Sequence, residues 1–460
     1  MDANTQNDLT PWWPTLFGAP HTTSFQRLLS DALGRSNPAG SAISTRVDDE
    51  PRDEPRDEPR EAPRRAFAEL TGQSGGGARP PTRAFCEKVD AVSSLLTALS
   101  GTPIDGFTLL VERSLSGGGI RRNGPISCGG ATRLLPCLDG TIAISLSRAT
   151  DIDSVPAFLA ALGTVPAMPV STGASEDEPW RTVERAIARG TARLWVDQAV
   201  LLDMAVGEPG ETPTPTVGEP AVRSLIGTRQ SESPMSTGAA RPEHQAPLVV
   251  DLSSLWAGPL CSRLLRQAGM RVIKVEDVNR PDGGRVGSPE FFAALHRGKE
   301  FMQFDFQTGL GRRDLAQLLA RADVVIEGSR PRALVSLGID VEQLLLGSGP
   351  RVWTSITGHG QTGRWANRVA FGDDAAVAGG LVHREGSDTW FFGDAVADPL
   401  TGMVAAAATL MAWKDSKQTP SPNRAGRSST RLDVAMARVA AAFSGRAPGS
   451  RGLPRWEDDD

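Results

Sequence analysis

Asp398 is the acid whose setting most invites chemistry. It stands in Ala397-Asp398-Pro399-Leu400-Thr401-Gly402, directly ahead of an apolar run at 401–413 of helical length. An acid near a helix N-terminus is stabilised by the free N–H groups and the dipole there, so the spacing predicts a cap, and the same helix end can orient the carboxylate. A second candidate is the turn Ser253-Ser254-Leu255-Trp256-Ala257-Gly258-Pro259, between an apolar strand at 247–252 and a helix at 258–268. A helix opening at Gly258-Pro259 can offer backbone N–H groups to a phosphate. The next strand, 271–276, ends in Glu276, about where a dinucleotide fold keeps its ribose partner. The Gly-x-Gly-x-x-Gly fingerprint is missing from the turn, so NAD is not expected. Gly129-Gly130 precede segments 133–138 and 141–146, which flank the hairpin signal Asp139-Gly140. The four cysteines contain no Cys-x-x-Cys and the five histidines no i, i+4 pair, so neither a metal site nor a disulfide framework is expected.

The elements that position these residues read as follows. Three copies of Asp-Glu-Pro-Arg, at 49–52, 53–56 and 57–60, predict a disordered linker over 46–65, because proline every fourth residue opposes a helix and alternating charge favours solvation. Ahead of it lie aromatic residues and a short amphipathic stretch at 25–33. Residues 84–99 have helical spacing, 106–111 read as a strand, and two helices are expected at about 154–163 and 178–204. Proline, glycine, serine and threonine crowd 207–246, which reads as a flexible inter-domain linker. Strands and helices then alternate: strands at 301–306, 324–327 and 351–356, helices at 311–321, 331–346 and 373–381. That pattern predicts a parallel sheet flanked by helices. The expected fold is α/β, a Rossmann-like doubly wound parallel sheet domain plus a smaller α+β domain.

The 460 residues carry 49 Lys and Arg against 54 Asp and Glu, a net charge of −5, which argues against nucleic acid as a partner. No stretch approaches the ~18–20 apolar residues of a membrane span, and the N-terminus lacks the basic-then-apolar order of a secretory signal. A cytoplasmic protein is the expectation.

Segments across about 250–440 resemble the family III CoA-transferases, which include formyl-CoA transferase and carnitine CoA-transferase. The matching runs are Val-Val-Asp-Leu-Ser-x-x-Trp-Ala-Gly-Pro at 249–259, Val-Ile-Lys-Val-Glu at 272–276, Arg-Gly-Lys at 297–299, Ala-Asp-Val-Val-Ile-Glu at 322–327, Ser-Ile-Thr-Gly-His-Gly-Gln-Thr-Gly at 355–363 and Ala-Asp-Pro-Leu-Thr-Gly at 397–402. The resemblance implies a CoA-binding domain and a nucleophilic aspartate, which falls on Asp398. It implies coenzyme A as substrate, with acyl-CoA and a carboxylic acid exchanging it through an aspartyl intermediate. Covalent catalysis of this kind divides one hard exchange into easier acyl transfers. The CoA contacts would come from Trp256, Ala257, Gly258, Pro259, Glu276, Arg297 and Arg330, with Arg285, Lys299 and Arg332 as further phosphate candidates. A homodimer is expected, because family members are typically interlocked dimers.

Residues 128–140 resemble the glycine loop and hairpin of the family's second half, which here would come first, so Gly129 and Gly130 would cover the intermediate. The expected organisation is an N-terminal arm and linker over 1–83, a small domain over 84–205, a linker over 206–246, the CoA-binding domain over 247–443 and a tail over 444–460. Phe371 stands where the related α-methylacyl-CoA racemases have a histidine and cannot shuttle a proton, which disfavours simple racemase chemistry. Trp256 replaces a glutamine of formyl-CoA transferase, Gly328-Ser329 an Asn-Phe pair and Thr357 a lysine. With Phe371 in the substrate pocket, Trp256 suggests a bulky or apolar acyl group. Two alternatives stay open: an acyl-CoA racemase or isomerase with a relocated base, and a non-catalytic CoA-binding paralogue.

Overall fold

The computed structural model describes residues 13–17, 58–117, 119–160, 178–228, 246–347, 349–418 and 428–452. Twelve strands are numbered in chain order: β1 Thr132–Cys137, β2 Gly140–Ser145, β3 Ala205–Gly207, β4 Val222–Thr228, β5 Leu248–Asp251, β6 Arg271–Asp277, β7 Glu300–Phe304, β8 Val324–Glu327, β9 Val352–Thr357, β10 Val382–Glu385, β11 Asp388–Phe391 and β12 Ser428–Ala435. Seven form one sheet in the order β4-β12-β9-β8-β5-β6-β7. Every pairing is parallel except that of β4, which runs antiparallel to β12. β5, β8 and β9 are buried along their whole length, as strands covered on both faces by helices must be. From β5 the chain builds outward to β6 and β7, then returns to add β8 and β9 on the other side. The switch point therefore falls between β5 and β8, where a doubly wound sheet opens a crevice at its carboxyl edge. The loops after these two strands meet there: a Cβ on Gly328 would lie 3.4 Å from the Cβ of Ser253.

The smaller unit is an antiparallel sheet, β1-β2-β3. Helices Ala149–Leu159, Glu178–Ile187 and Ala192–Leu201 cover it. Phe158 and Trp195 anchor its separate core. The hairpin turn closes as predicted, with Cys137 opposite Gly140.

Four expectations change. Residues 106–111 are not a strand but open the helix Gly106–Leu115, whose N-terminus Asp105 caps by accepting the Phe107 N–H at 3.1 Å. A short apolar run fits either state, and the cap decides it. The Asp-Glu-Pro-Arg linker ends sooner than expected, because Glu58–Ala68 is a helix with Pro63 inside it. An interior proline costs about 3 kcal/mol. Burying Phe67 and Leu70 offsets this at ~1.5–3 kcal/mol each. Phe67 stacks on Phe85 at 5.5 Å and meets Phe392 edge-on at 5.1 Å. The first two repeats, the stretch at 25–33 and residues 229–245 lie outside the described residues.

The linker over 206–246 contains β4, an edge strand of the large sheet, and Gly210 and Thr212 donate to the carbonyls of Val377 and Ala378 at 2.9 Å each. The tail is pinned through 452 by Arg446, which bonds the carbonyls of Gly210, Thr212 and Gly379. Helices Arg83–Ser100 and Gly106–Leu115 belong to the core of the large sheet, not to that of the small unit. No helix of the described residues is long and apolar enough to cross a membrane.

Candidate active site

Helix Ala397–Gln418 is alanine-rich, so it combines high helix propensity with little bulk. Gly402 lets it press onto helix Ala257–Gln267: a Cβ there would lie 2.7 Å from the Ala257 carbonyl oxygen. This packing sets Asp398, the second residue of the helix, beside the loop that carries Trp256.

Asp398 is half-buried. Its Oδ2 lies against Gly372, whose backbone N–H favours the charged form. A Cβ on Gly372 would lie 2.5 Å from Asp398 Oδ2 and 2.5 Å from the Ala395 carbonyl oxygen, so only glycine permits the approach. Ala395 takes φ 43°, which costs a non-glycine residue about 1–2 kcal/mol. Asp373 Oδ1 holds that turn by accepting the Ala395 N–H at 3.0 Å.

Three carboxylates thus gather, and Arg113 meets them from helix Gly106–Leu115. Its Nε donates to Asp394 Oδ2 at 2.7 Å, and Nη2 donates to Oδ1. The Asp394 side chain is 0 % exposed and that of Arg113 24 %. The guanidinium lies 5.5 Å from the Trp256 ring centroid. A Cβ on Gly129 would sit 3.1 Å from Arg113 Nη2.

Burial pushes Asp398 up to about 7; Arg113 pulls it down and the charges of Asp373 and Asp394 push it up. Burial and Asp394 raise Asp373 to about 6, against Arg113. Burial also raises the neighbouring Cys128 thiol, with Asp394 and Asp373 adding to it. The set is therefore poised to exchange protons near neutrality.

The structure brings Asp398, Trp256 and Gly129 together around Arg113. Gly130 adopts φ 79° in the same loop, and its N–H donates to Ser127 O at 2.8 Å. Phe371 precedes Gly372, donates its N–H to Asp374 Oδ1 at 2.8 Å, and has the Arg148 guanidinium 5.6 Å from its ring. Ala257, Gly258 and Pro259 are buried at the helix start, and Gly258 lies against Ser253.

The other candidates are held apart from Asp398. Glu276 is buried and paired with Arg285 at 3.0 Å. Arg297 is exposed. Arg330 and Arg332 both pair with Asp203, at 2.5 and 2.8 Å. Lys299 is buried and donates to Asp251 at 3.2 Å, Ser262 at 2.7 Å and the Pro259 carbonyl at 2.9 Å. All three of its donors are used, so it is a strut beneath the loop rather than a free phosphate ligand.

Arg113, Asp373 and Asp394 escaped prediction. The signal for Asp394 was its place four residues before Asp398. Arg113 was hidden by the strand reading of its segment.

Residues 247–450 match the model of the family described as CoA-transferase family III. Similar proteins include an acyl-CoA transferase of Fusarium pseudograminearum, 31% identical over 30% of this chain and 34% of its own length. A succinyl-CoA:glutarate CoA-transferase of Mus musculus is 30% identical over 35% of this chain and 39% of its own. A succinate–glutarate CoA-transferase of Agrobacterium fabrum is 30% identical over 36% and 47%. The chain thus spans between a third and a half of the length of these relatives.

Proposed function

We propose, because residues 247–450 match the model of CoA-transferase family III, that the chain moves CoA between an acyl-CoA thioester and a carboxylic acid, with Asp398 as nucleophile. The observation that carries this reading is the Asp398 carboxylate, set at the start of a helix, packed against Gly372 and within the field of Arg113. In the first step the carboxylate attacks the thioester carbonyl, forming an Asp398 anhydride and releasing CoA thiolate. The thiolate then attacks the aspartyl carbonyl, expelling the donor acid and leaving an aspartyl-CoA thioester. The acceptor carboxylate attacks this thioester to give a second anhydride, and CoA thiolate attacks the acceptor's acyl carbon to free Asp398. Each step exchanges one acyl bond for another without a net proton. Oxyanions formed on the way are stabilised by N–H donors or cations aimed at the developing charge, a role that suits the Gly372 N–H and Arg113.

Both aromatic residues expected at the acyl group lie beside a guanidinium, Trp256 beside Arg113 and Phe371 beside Arg148. Two relatives carry succinate or succinyl and glutarate in their names, so succinyl-CoA with glutarate is the first pair to assay. The upstream loop with Gly129 and Gly130 serves in this reading as the family's glycine loop in permuted order, and the active unit is a homodimer. Asp398→Ala should abolish exchange while the circular dichroism spectrum stays unchanged; full activity in that variant would remove the nucleophile.

A second reading rests on Asp373 and Asp398, two carboxyl groups poised at about 6 and 7. Such a pair could take and return an α-proton. Deuterium entering the α-position of an acyl-CoA from heavy water, without CoA exchange, would favour it.

A further inference from the structure

On the β9–β12 side of the sheet a cavity of about 440 Å³ opens between the two units. That volume lies within the ~300–1,000 Å³ of small-molecule sites. None of the positions expected to hold CoA lines it. Six arginines do: Arg193, Arg223, Arg364, Arg368, Arg438 and Arg451. Three glutamates, Glu208, Glu211 and Glu219, face them, and Asp197 and Asp433 pair with Arg193 and Arg438 from behind the lining, which leaves an excess of one positive charge.

Three of the guanidinium groups surround one indole. Arg364, Arg368 and Arg193 lie 4.2, 5.1 and 5.7 Å from the Trp365 ring. Two nitrogens of the lining have no partner. His359 Nε2 and Arg438 Nε are buried atoms without a hydrogen bond. Buried polar groups are normally satisfied, and each one left unpaired is costly. Burial, together with Arg368 and Arg438, keeps His359 uncharged, so in one tautomer its Nε2–H is a donor in search of an acceptor.

We infer that this cavity binds a small phosphate-bearing anion, with His359 and Arg438 as inner donors and Arg364 and Arg451 as rim charges. A phosphate turns three terminal oxygens toward donors converging from different walls, where a planar carboxylate turns two. Arginine forks are suited to such oxygens. The inference stands independently of the role of Asp398.

The test is calorimetric titration of the full chain with pyrophosphate at low salt, where exposed charges are least screened. One saturable site is expected, with a ligand-dependent rise in melting temperature. In Arg364→Glu/Arg451→Glu affinity should fall at least tenfold. Both residues are exposed, so the unliganded melting temperature should match wild type. No binding at millimolar pyrophosphate, or equal affinity in the double variant, would overturn the site. Citrate binding as tightly as pyrophosphate would overturn the phosphate assignment.

Discussion

Replacing Arg113 with glutamine separates electrostatics from scaffolding at the proposed site. Arg113 is the cation that opposes burial and two like charges at Asp398, which titrates at about 7 with Arg113 in place. A neighbouring arginine lowers a carboxylate by ~1–3 units, so its loss should raise Asp398 to roughly 8–10. At pH 7 the ionised fraction would fall from about a half to between about a tenth and a thousandth. Exchange at that pH should fall ~5- to 500-fold and recover as the pH rises. The assay is kcat/KM for CoA exchange from pH 5.5 to 9.5, in which the wild-type acidic limb is centred near 7.

Loss of Arg113 also strands the buried carboxylate of Asp394, at a cost of ~3–5 kcal/mol. Arg113→Gln/Asp394→Asn removes that penalty together with one of the charges that raise Asp398. Its acidic limb should therefore return part of the way toward wild type. An Arg113→Gln enzyme with an unmoved acidic limb and a uniformly lower rate would refute the reasoning and leave Arg113 as an anchor for Asp394 alone.

Three further outcomes are expected. Asp398 titrates higher when folded, so the native state holds its proton more tightly; stability is fully present below the unfolded value near 4 and is lost as pH rises through about 7. Asp398→Asn should accordingly melt above wild type at pH 8, with the gain vanishing toward pH 4; a gain independent of pH would contradict the shift. Lys299→Met strands Asp251 and should lower unfolding stability by ~3–5 kcal/mol without changing CoA affinity of the folded protein. A tenfold loss of CoA affinity at unchanged stability would make Lys299 a phosphate ligand after all. Gly402→Val drives a side chain into the Ala257 carbonyl and should lower the urea midpoint by the equivalent of ~1–3 kcal/mol; an unchanged midpoint would mean the two helices are not in contact there.

The sheet was legible in the sequence because buried parallel strands are continuous apolar runs, and β5, β6 and β8 fall within a residue of where those runs predict them. The long helix and Asp398 at its start were legible for a related reason: an acid ahead of an alanine-rich run has one natural place. Segments of mixed signal were not. Proline at 59 and 63 argued against the helix Glu58–Ala68, yet local cost lost to the burial of Phe67 in an aromatic cluster built from residues far along the chain. β4 hid in a proline-rich stretch because an edge strand is specified by its partner, β12, more than by its own composition.

Charge partners were the least legible part of the site. Arg113 and Asp394 are 281 residues apart, and nothing local to either predicts the other. Their pairing has a physical consequence for the whole arrangement. Asp373, Asp394 and Asp398 all lie within the segment that matches the family, and burial and mutual repulsion push two of them toward the neutral form. A carboxylate kept protonated cannot attack a thioester. The countercharge comes from residues before 247, on a helix that also packs into the core of the large sheet. The upstream segment is therefore part of the electrostatics of Asp398, and the charge state of that aspartate depends on the docking of Gly106–Leu115 as much as on its own helix.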